Sequence, residues 1–239
     1  MKPNWKAIRL LVLILTLLGA YGFSEARNQK RSINNVHVVF KGEENLYITE
    51  DAVNKLLIQN IGTLPIVDKD EIVLNTVESA VQAHDMVKNA QVFVSLDGQL
   101  NAFIVQRHPI GRISGDYPYY LDDEGKKMPL SQHHSARVPI ISGNITAEGL
   151  EDAYTIIQAV AKDEFMSPNL IGIRIGNQRN YELRLRSCDF NVKIGEAEQL
   201  PLKFKNFKAF YARALQEHSL NNYKIVNLEF TNQVVCTKI

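Results

Sequence analysis

The sequence has 239 residues, with 27 Lys and Arg against 26 Asp and Glu and a formal net charge of +1. That balance leaves no basic field for nucleic acid and no acidic tail, and a 45% hydrophobic content is enough to bury ordinary cores. The cysteines are Cys188 and Cys236, too few for a zinc site without histidines at suitable spacing; they read as half-buried strand residues, with a single disulfide as the alternative.

The chain opens on an apolar run. Leu10–Phe23 carries no charge, and Trp5, Ala7 and Ile8 extend the apolar character backwards. A span needs roughly 17–25 mostly apolar residues, so Trp5–Phe23 just reaches if Arg9 snorkels toward the near interface. Trp5 at one end and Tyr21 and Phe23 at the other stand where amphipathic rings prefer to be. The rival is a cleaved secretory signal, but aromatics interrupt any small-x-small site after the core. Lys2, Lys6 and Arg9 before the core nearly balance Arg27, Lys30 and Arg31 after it; the short head and long remainder favour a cytoplasmic N-terminus. The expected divisions are a head over 1–9, a transmembrane helix over 10–26 contacting lipid through residues 5–23, and a connector over 27–32.

Ile33–Phe40 is rich in β-branched residues and reads as a strand. Thr49 is the expected N-cap of a helix from Glu50 to about Asn60, with a stripe of Ala52/Val53, Leu56/Leu57 and Ile61. A second helix opens at Asp68 or Asp70 and runs to about Ala83. Val87–Leu96 and Gln99–Arg107 form a hairpin around Asp97-Gly98, a dipeptide suited to a tight primed turn. The order is β-α-α-β-β over 33–109, the layout of a POTRA module. Arg107-His108-Pro109 then serves as a rigid connector or a hinge.

The second region, 110–239, begins with a short hairpin through an Asp122–Gly125 turn, whose acids read as solvated. A buried strand follows at Val138–Ser142, then a helix capped by Thr146 with a stripe of Leu150, Ala153/Tyr154, Ile157 and Val160/Ala161. Leu170–Ile175, Tyr181–Ser187 and Asn191–Ile194 are strands; Lys203–Glu217 is a helix with Phe204, Phe207, Tyr211 and Leu215 as its stripe. Tyr223–Phe230 and Asn232–Lys238 close the chain as two strands. The expected class is α+β, mostly antiparallel sheet with flanking helices.

Chemistry is hard to find. His133 and His134 are adjacent and point apart on any regular element. The sequence holds no P-loop, no G-x-G-x-x-G after a strand and no G-x-S-x-G, so no catalytic set, cofactor or metal is expected.

Several stretches carry a family resemblance. They are Val87-x-x-Ala90-x-Val92 leading into Gln106-Arg107-x-Pro109-Ile110; Tyr120-Leu121-Asp122-x-x-Gly125 with Met128-Pro129-Leu130; Val138-Pro139-x-Ile141-x-Gly143; Lys203 or Lys205; and Ile225–Phe230 with Asn232–Val235. In order and spacing the chain resembles the FtsQ/DivIB family of bacterial cell-division proteins. It departs at Gln106, where an acidic residue is usual, and in stopping directly after its last strand. The resemblance implies a non-enzymatic scaffold of the divisome. It sits in the cell inner membrane at the septum, with the bulk of the chain periplasmic. The POTRA module contacts other membrane division proteins, and the β domain binds an FtsB/DivIC–FtsL type coiled-coil pair by strand addition. The matching edge here is Thr231, Asn232, Gln233, Val234, Val235, Cys236, Thr237 and Lys238, with Tyr223 and Phe230 as apolar anchors. That edge is poorly guarded by its own sequence, with a lone late lysine beside Val234-Val235. The other readings are a POTRA-bearing component of transport or outer-membrane assembly, and an exported soluble protein released by signal cleavage.

Overall fold

A computed structural model describes residues 5–29, 35–42, 46–61, 74–95, 97–230 and 232–239. The chain divides into two compact units, Met1–Gln106 and Arg107–Ile239.

The first unit begins with α1 (Trp5–Gln29), a helix of 25 residues. From Ile8 to Ser24 its side chains are exposed on every side. Among the described residues no helix is long and apolar enough to cross a membrane. The transmembrane helix expected over 10–26 is therefore not shown.

The rest of the unit runs β1 (Asn35–Phe40), α2 (Glu50–Ile61), α3 (Leu74–Gln82), β2 (Val87–Val94) and β3 (Gln99–Gln106). The sheet order is β1-β3-β2, with β1 parallel and β2 antiparallel to the central β3. The Thr49 hydroxyl accepts from the Ala52 N–H at 3.3 Å, capping α2. Val53 and Leu57 of α2 and Val77 and Val81 of α3 are buried, together with Val38, Leu100, Ala102 and Ile104 of the sheet. The expected start of the second helix, with Val73, lies outside the described residues.

The β2–β3 turn differs from expectation. Gly98 donates its N–H to Ser95 O, and Ser95 N–H pairs with Gln99 O, so the loop is one residue longer than a two-residue primed turn. Gly98 takes a positive φ, +84°, at the end of that loop.

The second unit is built on a nine-stranded sheet. Its elements are β4 (Pro109–Ile113), β5 (Tyr119–Asp122), β6 (Lys127–Met128), β7 (Ile140–Gly143), α4 (Ala147–Ala161), α5 (Met166–Asn169), β8 (Leu170–Ile175), β9 (Tyr181–Leu185), β10 (Asn191–Gly195), α6 (Leu200–Gln216), β11 (Tyr223–Asn227) and β12 (Val235–Lys238). The strand order is β12-β11-β10-β9-β8-β7-β4-β5-β6. Most neighbours are antiparallel, but β4–β7, β7–β8 and β10–β11 are parallel. The last two of these pairs are each joined through a helix, α4 or α6, and β4 reaches β7 through β5 and β6, because parallel neighbours need a long crossover. Both helices bury their inner faces in one core. Ile156, Ile157 and Val160 of α4 and Phe204 and Phe207 of α6 join Ile141, Ile173, Leu183, Val192 and Val226 of the sheet.

Two stripes are rotated from their expected positions. Ala161 and Leu215 are exposed, while Ile156, Asp152 and Ala214 are buried in their place.

Candidate docking edge

The last two strands build the edge from the inside outward. β11 is held on its inner side by β10, in parallel register Asn191↔Ile225, Val192↔Val226 and Lys193↔Asn227. Leu228 N–H extends that pairing to Lys193 O at 2.7 Å, and both Val226 and Leu228 are buried. Beyond Leu228 the chain turns. The Asn227 side chain accepts from Glu229 N–H at 2.8 Å and donates to the Glu229 carboxylate at 3.0 Å, drawing the backbone out of line. The chain returns as β12, antiparallel to β11, with Val226↔Cys236 and Asn227↔Val235 as partners.

β12 ends the strand order, with β11 as its neighbour. In such a strand, alternate residues turn their N–H and C=O groups outward, unpaired. The side chains divide in the same rhythm. Val234 and Cys236 are half-buried and pack against the core; Val235 and Thr237 are exposed. Asn232, Gln233 and Lys238 are exposed as well, and Thr231 lies outside the described residues. Phe230 is 49% exposed and Val235 41%, both large for apolar side chains of a folded unit.

The two expected anchors part company. Phe230 projects from the turn. Tyr223 is half-buried, with its ring 5.3 Å from Phe210 and 6.5 Å from Phe190 in edge-on contacts. Tyr223 therefore supports the edge from within, as part of the aromatic layer under β11. The turn acids also need correction. Asp122 is fully buried, not solvated: one carboxylate oxygen accepts from Arg107 at 2.7 Å, the other from the Glu124 and Lys126 N–H groups. A buried carboxylate requires such partners, and the Asp122–Gly125 turn supplies them.

One polar constellation was missed. Asp152, on the buried stripe of α4, accepts both Arg179 donors at 2.7 Å and the Tyr181 hydroxyl at 2.6 Å. The Arg179 bond holds the Asp152 carboxyl below its usual range, and burial beside that carboxylate raises the Tyr181 hydroxyl. A lone Asp inside an otherwise apolar helical stripe was the available signal. This set ties the β8–β9 turn to α4.

The thiols are free and poor nucleophiles. Burial, with Asp189 nearby, pushes the Cys188 thiol up to about 11, and burial raises that of Cys236. Cys188 lies in the turn after β9, not in a strand. Among the described residues no group of three or more His, Cys, Asp or Glu is arranged to hold a metal ion. One cleft, about 410 Å³, is an open trough on the sheet face away from α4 and α6, between Ile140, Gly172, Arg174 and Arg184. The arrangement offers backbone hydrogen bonds and apolar contact to another chain.

The family described as "FtsQ/DivIB, C-terminal related" matches residues 108–237. Among solved structures the chain is similar to the major extracytoplasmic domain of the trans isomer of the bacterial cell division protein DivIB from Geobacillus stearothermophilus. That similarity has 10% identity and a TM-score of 0.33, over 46% of this chain and 95% of that one. No curated protein matches the chain.

Proposed function

Since the chain belongs to the FtsQ/DivIB, C-terminal related family, and so among cell-division proteins, we propose that it is a non-enzymatic scaffold of the bacterial divisome. In this reading residues 33–109 form a POTRA module that contacts other membrane division proteins. The second unit receives a segment of an FtsB/DivIC–FtsL type coiled-coil pair along β12. The single observation carrying the reading is the rim of that strand, outermost in its sheet and flanked by the exposed Phe230 and Val235. A strand that adds there gains backbone hydrogen bonds, and the apolar side chains beside it select among partners.

We place α1 in the cell inner membrane, with the N-terminus cytoplasmic and the rest periplasmic. Its run of exposed leucines is supported against water by nothing described in the chain. Snorkelling of Arg9 lengthens the apolar stretch back to Trp5, for about 28 Å in all.

Proline scanning tests the edge. Consecutive strand residues alternate in the side to which their N–H points, so of Val235→Pro and Cys236→Pro one removes an outward donor and leaves the β11 pairing intact. The variant that keeps the native circular dichroism should lose co-purification of the coiled-coil pair. Undiminished capture by that folded variant would refute docking at β12.

A further inference from the structure

The three-stranded sheet of the first unit has a second face, turned away from α2 and α3. Along it the register sets Val39, Phe103 and Gln91 in one row and His37, Asn101 and Phe93 in the next. Phe93 is 39% exposed and meets Phe103 edge-on, with ring centroids 5.1 Å apart. The Lys41 ammonium stands 4.2 Å above the Phe103 ring. Neither the aromatic pair nor the lysine packs into the module's core, which lies on the opposite face among Val38, Leu100, Ala102 and Ile104.

Charge is divided between the two sides. The described carboxylates of the module are Glu50 and Asp51 on α2, Glu78 on α3, and Asp85 and Asp97 in turns; none lies on the strands of the Phe93–Phe103 face. The tether is short. Gln29 ends α1 and Asn35 begins β1, six peptide steps that reach at most about 21 Å even fully extended. That connection carries Lys30 and Arg31, with Arg27 just before them.

We propose that the Phe93–Phe103–Lys41 face rests on the anionic headgroup surface of the bilayer that holds α1. The inference rests on the membrane placement of α1 proposed above. Aromatic rings with a polar or cationic neighbour settle at the headgroup level, and a lysine there is drawn by anionic lipid. A tether of about 21 Å keeps the module within reach of that surface. Among the described residues the strands of that face carry no carboxylate, Asp97 lying beside Ser95 in the turn at its end, so it is the face that approaches the bilayer with least repulsion. The function is orientational: a module held flat on the bilayer presents its helices and both sheet edges laterally, toward other membrane-embedded proteins.

The full chain, reconstituted in vesicles of phosphatidylglycerol and phosphatidylcholine or of phosphatidylcholine alone, provides the test. Trp5 is the lone native tryptophan and reports on α1. A Trp5→Phe, Phe93→Trp chain reports on the face, and Trp5→Phe, Gln91→Trp serves as a second reporter should the first fail to fold. Quenching by lipids spin-labelled in the headgroup region should cut the face reporter's emission by about twofold in anionic vesicles. It should be weaker in phosphatidylcholine, in high salt, or with Lys41→Glu added. An unquenched face reporter alongside a quenched Trp5 overturns the inference and leaves the anchor standing. So does quenching of the face that is indifferent to lipid charge and to Lys41→Glu. Absence of quenching at Trp5 as well overturns the anchor reading on which the inference is built.

Discussion

Gln106 shows how much one side chain decides. Its carbonyl oxygen accepts from Tyr47 N–H and its amide nitrogen donates to Ile48 O, both at 3.0 Å, in a site 7% exposed. The site demands a donor and an acceptor on one short planar group, which glutamine has and an ionised carboxylate lacks. This accounts in physical terms for an amide where the family resemblance suggested an acid. Gln106→Glu should cost about 1–3 kcal/mol at pH 7, because a buried carboxylate then faces the Ile48 carbonyl. The cost should shrink in acid. The new carboxyl has a folded pKa raised above its unfolded value of about 4.3, so its protonated form restores the donor, and stability declines as pH rises through that value. Urea melts of the variant at pH 4 and pH 7 check both the size and the sign. A penalty equal at the two values would mean that the hydrogen-bond pair is not what Gln106 provides.

Elements were legible where period and punctuation agreed. The strict alternation of Tyr181-Glu182-Leu183-Arg184-Leu185 places Tyr181, Leu183 and Leu185 in the core, and Thr146 caps α4 by accepting from Gly149 N–H at 3.1 Å. Where the reading slipped, a longer-range partner had decided. Asp152 takes an inner position on α4 because Arg179 and Tyr181 await it, and Ala214 replaces Leu215 as the stripe of α6 turns. Parallel pairing of β7 with β8 and of β10 with β11 is a property of the crossovers, invisible in any one strand's residues. Of the docking edge, the strands were readable, but the inward packing of Tyr223 depended on Phe190 and Phe210, far away in sequence. The β7–α4 junction has its own requirement. Gly143 takes φ +100°, and a Cβ there would meet the Ile175 carbonyl oxygen at 2.1 Å. That carbonyl also accepts from Asn144 N–H at 2.9 Å, so it has little freedom to retreat. Gly143→Ala should therefore destabilise the second unit by about 2 kcal/mol or more, through strain and a displaced β8 together. Thermal melting and protection of the Asn144 amide from hydrogen exchange measure it; a change in melting temperature within error would show that the junction relaxes freely.

At the scale of the whole molecule, net charge is close to zero and what depends on pH is how a few carboxylates are held. Two of them tie helices of the second unit to their surroundings. Asp152 binds α4 to the β8–β9 turn, and the Arg179 bond sets its low pKa. Asp163 follows α4, accepting from Lys208 of α6 at 2.6 Å and from the Phe165 and Met166 N–H groups. Burial opposes ionisation of Asp163, but Lys208 and those amides outweigh it, and its pKa is lowered too. A carboxylate with a depressed folded pKa contributes stability that is present above its unfolded pKa, about 3.9, and lost as pH falls through the folded value. The native chain should thus lose stability steeply below about pH 4, with α4 loosening from the β8–β9 turn and from α6. Asp152→Asn should cost about 1–2 kcal/mol at pH 7 and nearly nothing at pH 2, since acid has already removed the same charge from the parent chain. Asp163→Asn should behave alike, and the two should add, as the carboxylates share no partner. Denaturant titrations from pH 2 to pH 7 on the parent and both variants trace the acid limb. Curves that run parallel throughout would show that these carboxylates do not drive acid unfolding, whereas convergence at low pH assigns the limb to the ties of α4 to the β8–β9 turn and to α6.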